Sequence, residues 1–109
     1  MGGLLKKPLV EGARQQAQED LRKASVSNDC EKAKAALADG ADVNFIYEEG
    51  RTALMKASLR GHVEMVVLLL DAGARGDIVD NHNYTAFLLA KNTGETAAVE
   101  LLKSRGILK

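Results

Sequence analysis

Gly40, Gly73 and Gly106 stand 33 residues apart, and their surroundings repeat at the same interval. Leu21, Leu54 and Phe87 fall in register, as do Ala24, Ala57 and Ala90, and Thr52 with Thr85. A fixed period of this size marks a stack of small supersecondary units, each unable to bury its apolar face alone. The 109 residues are therefore about three copies of one unit, not one irregular core. Such stacks usually work by presenting a surface.

Composition narrows this further. Aromatic content is 4% with no Trp, so Ala, Leu and Val must carry the packing, which suits closely stacked helices. Fifteen basic and 15 acidic residues give no net charge, which removes the electrostatic case for nucleic-acid or acidic-membrane binding. A single cysteine, Cys30, excludes an internal disulfide and fits a reducing compartment, so a cytoplasmic or nuclear location is expected. The longest uninterrupted apolar run, Met65 to Leu70, is six residues, far short of the roughly 20 of a membrane span.

The central unit is the clearest. Thr52 is placed to cap a helix that carries Leu54, Ala57 and Ser58 on one face and ends at Gly61. A second helix, Val63 to Leu70, is apolar nearly all round and is expected to be buried between neighbours. The pattern restarts at Thr85, with Asn83 where Gly50 stood, both suited to positive φ. The third unit's second helix, with Thr96, Glu100 and Lys103, is polar enough to close the array, so a complete small protein is expected, although Ile107 and Leu108 look like the start of a further loop.

The first unit lacks the Thr and reads as an N-terminal cap, with helices over 20–27 and 30–38 and Asn28 in place of Gly61. The periodicity divides the chain into a tail, 1–13, and units at 14–46, 47–79 and 80–109. Pro8 and Gly12 argue against a continuous helix through the tail, which carries apolar Leu4, Leu5, Leu9 and Val10. Gln15 to Lys23 extends the first helix backwards.

Gly50-Arg51-Thr52-Ala53-Leu54-Met55, Gly61-His62-Val63, Val67-Leu68-Leu69-Leu70 and Leu37-Ala38-Asp39-Gly40-Ala41-Asp42-Val43-Asn44 resemble the ankyrin-repeat signature. The resemblance covers residues 14–109 and implies an all-α solenoid of stacked helix–turn–helix pairs joined by short β-hairpin loops, without a catalytic site or cofactor. Thr52-Ala53-Leu54-Met55 and Thr85-Ala86-Phe87-Leu88 depart from the family's Thr-Pro-Leu-His, losing a Pro that presets the first helical φ, so modest stability is expected.

The resemblance gives His62 a structural role, tying one repeat to the next. His82 stands alone and Cys30 has no motif partner, so neither builds a metal site or a nucleophile. Asn44 resembles the loop Asn that an oxygen-dependent asparaginyl hydroxylase modifies in some members, although Ala36 stands where Leu is favoured.

In the family, partner proteins are held by loop tips and the exposed face of first helices. Carried over, that surface comprises Ile46, Tyr47, Glu48, Glu49, Arg51, Leu59 and Arg60 in the second unit, and Val79, Asn81, His82, Tyr84, Asn92 and Thr93 in the third. Phe45 is assigned to packing between loops ahead of Ile46 and Tyr47. The chain is expected to be a monomeric module that binds a protein, not nucleic acid or membrane. Whether it acts as an adaptor or scaffold, or as an inhibitor masking an enzyme or assembly surface, stays open at this level.

Overall fold

The computed structural model describes residues 6–109, with side chains from Gly12 onward. Residues 1–5, with Leu4 and Leu5 of the expected tail, lie outside the described residues, as do the side chains of Leu9 and Val10. Six α-helices follow one another: α1 (Lys6–Ser27), α2 (Cys30–Ala38), α3 (Ala53–Leu59), α4 (Val63–Asp71), α5 (Ala86–Asn92) and α6 (Thr96–Ser104). They pair within units and stack between them. α1, α3 and α5 form one row, and α2, α4 and α6 the other. A first loop, 39–52, joins α2 to α3, and a second, 72–85, joins α4 to α5.

The 33-residue register is the register of the core. Leu21, Leu54 and Phe87 are buried side by side along the first row, with Ala24, Ala57 and Ala90 where the helices approach closely. Ala36, Leu69 and Leu102 repeat the arrangement in the second row. Thr52 Oγ1 accepts the Met55 N–H at 3.3 Å and Thr85 Oγ1 accepts that of Leu88 at 3.2 Å, so both caps form. Asn28, Gly61 and Gly94 end the first-row helices at φ 61°, 71° and 76°, the left-handed conformation that lets the chain turn into the second row.

Three expectations are corrected. α1 runs straight through Pro8 and Gly12. Pro8 is its third residue, in the turn where backbone N–H groups have no intrahelical acceptor, so the missing donor costs little. Gly12 costs only about 1 kcal/mol relative to Ala, which a helix of 22 residues tolerates.

Second, α4 buries Met65, Val66 and Leu69 fully, but Val63, Val67, Leu68 and Leu70 only in part. α4 packs on α3 and is flanked by α2 and α6, and the face turned away from α3 meets solvent. Third, the loops turn as hairpins but form no strand among the described residues. Backbone bonds across the tips close them, Tyr47 N–H to Arg51 O at 2.8 Å with Gly50 N–H to Tyr47 O at 3.2 Å, and Asp80 N–H to Tyr84 O at 2.9 Å with Asn83 N–H to Asp80 O at 3.0 Å.

Candidate binding surface

The second loop is organised around Asp80, whose side chain is fully buried. Its Oδ1 accepts the N–H of His82 at 2.8 Å and of Tyr84 at 2.9 Å, and its Oδ2 accepts Arg51 Nε at 3.3 Å from the preceding unit. Burial pushes the carboxyl's pKa up, but the N–H groups of Tyr84 and His82, together with Arg51, outweigh it and hold the pKa below its ordinary value. The anchored turn lifts Val79, His82 and Tyr84 into solvent, with the His82 and Tyr84 rings stacked at 6.5 Å.

Tyr47 holds the Asp80 position one unit earlier and has no carboxylate to offer its own turn. At that tip Glu49 takes φ 64° and Gly50 φ 72°, whereas at the tip of the other loop, residues 80–84, Asn83 alone is left-handed, at φ 67°. The turned peptide has a use: Glu49 O accepts the Asn81 N–H at 3.0 Å, tying one loop tip to the next. Gly50 is required here, because a Cβ at that position would meet the backbone of Asn81.

Tyr47 and Phe45 exchange their expected roles. Tyr47 is half-buried; its hydroxyl donates to Gln18 O and accepts from Gln18 Nε2, both at 2.8 Å, and burial pushes its pKa up. Lys56 Nζ lies 5.7 Å above its ring and 3.5 Å from the Glu48 carboxylate. Tyr47 thus holds units together, as Arg51 does through Asp80. Phe45, expected to pack, is 42% exposed and leans on Tyr47 with ring centroids 4.9 Å apart.

The loop tips bring Ile46, Glu48, Glu49, Val79, Asn81, His82 and Tyr84 onto one exposed edge, with Ile46 and Val79 49% and 47% exposed. Leu59, Arg60, Asn92 and Thr93 are not part of it. They sit at the far ends of α3 and α5, about 10 Å of helix away from the loops. Leu59 is half-buried, and Thr93 Oγ1 donates to Leu89 O at 2.8 Å.

Sequence reasoning passed over the residues that hold this edge. Gln18 grips the first loop from α1: its Nε2 donates to Asp42 O at 3.0 Å and its Oε1 accepts Asp42 N–H at 2.9 Å. Asn44 clasps the next unit, donating to Gly73 O at 3.3 Å and accepting Arg75 N–H at 2.8 Å, so the carboxamide that resembles a hydroxylation site is already engaged. A signal was present. Gln18, Arg51 and Tyr84 share one register, and Tyr47 and Asp80 another, and both Gln18 and Arg51 reach from that position to the next unit's loop. His62 Nε2 lies 2.9 Å from Val26 O and joins neighbouring repeats.

Between α1 and the first loop lies an open groove of about 550 Å³, walled by Arg14, Gln15 and Glu19 on one side and Phe45 and Tyr47 on the other. Cys30 borders a shallower groove between α2 and α4; burial, then Glu64, pushes its thiol pKa up, so it is no activated nucleophile. No group of three metal-ligating side chains gathers among the described residues. No described helix is long and apolar enough to cross a membrane.

Comparison with known proteins decides the family: a description of ankyrin repeats in three copies matches residues 21–109. The chain belongs to the ankyrin-repeat family. Within it, the chain is 36% identical over 89 residues to the E3 ubiquitin-protein ligase KEG of Arabidopsis thaliana, covering 76% of this chain and 6% of that protein. It is 39% identical over 66 residues to the potassium channel AKT1 of Oryza sativa subsp. indica, covering 61% of this chain and 7% of the channel. With the ankyrin repeat and KH domain-containing protein mask-1 of Caenorhabditis elegans it shares 44% identity over 68 residues, 62% of this chain and 3% of that protein. The chain thus spans a small fraction of the relatives it matches. What the ankyrin-repeat chain has in common with them is its repeats, and ankyrin repeats are protein–protein interaction modules.

Proposed function

We propose that this ankyrin-repeat chain binds a partner protein through the edge formed by its two loop tips. The observation that carries the reading is the exposure of Ile46, Val79 and Tyr84 on loops whose backbones are held by buried or half-buried side chains (Asp80, Tyr47). An exposed apolar side chain on an immobilised turn loses little entropy on binding, and a Tyr is a frequent binding anchor. Glu48, Glu49 and Asn81 supply the polar rim expected of such a patch.

Tyr47 and Arg51 support this loop-tip edge from beneath and do not form part of it. The far-end residues Leu59, Arg60, Asn92 and Thr93 join the interface only for a partner broad enough to cross the first row of helices. A standard interface, about 800 Å² a side, matches three units. A monomeric chain in the cytoplasm or nucleus fits a single, unpaired Cys30.

The test is affinity capture from cell extract with wild type and with an Ile46→Ala/Val79→Ala/Tyr84→Ala variant of unchanged melting profile. The variant is expected to lose the partners that wild type retains. Equal recovery by both would place the binding surface elsewhere. Sedimentation and cell fractionation check the monomeric state and the location.

A further inference from the structure

Ile46 and Val79 hold the same position in successive units, as do Glu48 and Asn81, Glu49 and His82, and Arg51 and Tyr84. The loop-tip edge is therefore uneven: its first tip carries two exposed carboxylates, and its second only the buried Asp80. The two tips touch, through the Asn81 N–H and Glu49 O, so the carboxylates and the apolar side chains of Ile46, Val79 and Tyr84 belong to one surface.

The charges of that surface are sorted by depth. Lys56 Nζ lies 3.5 Å from the Glu48 carboxylate, and Arg51 Nη1 lies 3.3 Å from that of Glu49. The two cationic side chains are only 9% and 24% exposed, against 60% and 58% for the two carboxylates they serve. Arg51 also serves Asp80, so three carboxylates share two cations and the cluster is one positive charge short. Residues 45–49 and 79–84 hold no Lys or Arg of their own, and the chain as a whole carries no net charge. The excess of carboxylate is thus a property of this edge and not of an acidic protein. Glu48 stays ionised at neutral pH: its own backbone N–H, aided by Lys56, outweighs partial burial and holds the carboxyl below its ordinary pKa.

We propose that the partner offers this edge a basic and apolar segment, in which a Lys or Arg pairs with Glu48 and Glu49 while neighbouring apolar side chains cover Ile46, Val79 and Tyr84. The inference rests on the protein-binding reading and adds the chemical class of the partner. Such a cation completes the charge balance without displacing Lys56 or Arg51, which approach the carboxylates from beneath. An acidic segment would set its charge against them. Complementary charge of this kind acts chiefly on partner choice and association rate, while the apolar contacts supply affinity.

The test selects short random displayed peptides on the full chain and measures binding of the enriched peptide. Two variants change the net charge equally: Glu48→Gln/Glu49→Gln at the edge, and Glu31→Gln/Glu100→Gln on the second-row helices. Expected is a pool rich in Lys or Arg beside apolar residues. Its best member should bind Glu48→Gln/Glu49→Gln about tenfold more weakly at low salt, and Glu31→Gln/Glu100→Gln as it binds wild type. The loss should shrink to about twofold at about 0.5 M salt, where exposed charges are screened. All four carboxylates are mostly exposed, so both variants should keep the wild-type urea midpoint. Glu49→Gln alone leaves Lys56 its partner and should repeat the weakening in part, which guards against a fold defect in the double variant.

A pool without basic residues, a selection without any binder, or equal weakening by both charge variants overturns the proposal. So does self-association in sedimentation that Glu48→Gln/Glu49→Gln abolishes, which would give the edge to a second copy of this chain. If peptides tolerate Glu48→Gln/Glu49→Gln but are lost by Ile46→Ala/Val79→Ala/Tyr84→Ala, the loop-tip reading stands and the charge assignment alone falls. If they tolerate both, both fall.

Discussion

Removing the Asp80 carboxylate tests the organisation of the binding edge most directly. Asp80→Ala deletes three hydrogen bonds at once, to His82 N–H at 2.8 Å, Tyr84 N–H at 2.9 Å and Arg51 Nε at 3.3 Å. Bonds to a charged group contribute about 1.5–3 kcal/mol each when their donors stay dry. Here His82 and Tyr84 are exposed and the Arg51 side chain is 24% exposed, so water replaces part of what is lost. The expected loss is about 3 kcal/mol, out of the roughly 5–15 typical of a domain this size.

Urea unfolding followed by circular dichroism should show a lower midpoint with an unchanged slope, and the melting temperature should fall by about 10–20 °C. Asp80→Asn keeps an acceptor for both N–H groups and should lose only about 1 kcal/mol. The pH dependence has a definite sign. The folded pKa lies below the ordinary 3.8, so the stabilisation is complete above that value and is lost as pH falls from there through the folded pKa. Wild type should therefore weaken more steeply below about pH 4 than Asp80→Asn. A loss under about 1 kcal/mol for Asp80→Ala, or identical acid profiles for wild type and Asp80→Asn, would refute the reasoning.

Four further substitutions probe the repeat register. Glu95 stands where His62 bonds to Val26 O, and an ionised carboxylate cannot donate to the corresponding Leu59 O; Glu95→His should therefore stabilise by about 1 kcal/mol, read as a higher urea midpoint. Ser58 Oγ is buried without a hydrogen-bond partner, whereas Ser25 Oγ, one unit earlier, donates to Leu21 O at 2.7 Å. Ser58→Ala should gain about 1 kcal/mol while Ser25→Ala gains nothing, and equal effects in calorimetry would count against that distinction. Asn28 holds φ 61° where the other units have Gly, and its Oδ1 is buried and unpartnered, so Asn28→Gly should raise the melting temperature by a few degrees, for about 0.5 kcal/mol.

Much of the fold was legible because it depends on spacing alone. Thr52 and Thr85, Asn83 and the 61/94 glycines act within a few residues of themselves, and each forms the cap or turn its chemistry dictates. α1 was misjudged where position mattered more than residue type: Pro8 breaks a helix interior but not a first turn. The site was less legible. Tyr47 and Phe45 are both aromatic and two residues apart, and nothing local says which of them Gln18 will claim.

The sequence by itself determined the unit, its length, its caps and the aliphatic register of the stack, since these follow from a period and from short-range backbone chemistry. Only the tertiary structure decided which loop side chains became struts and which stayed free. Tyr47, Arg51 and Asp80 are joined to residues 29 positions away, and such pairings exist only once neighbouring units have stacked and closed the distance. The groove beside Phe45 has the same origin, since it arises where a helix in one unit meets a loop in the next.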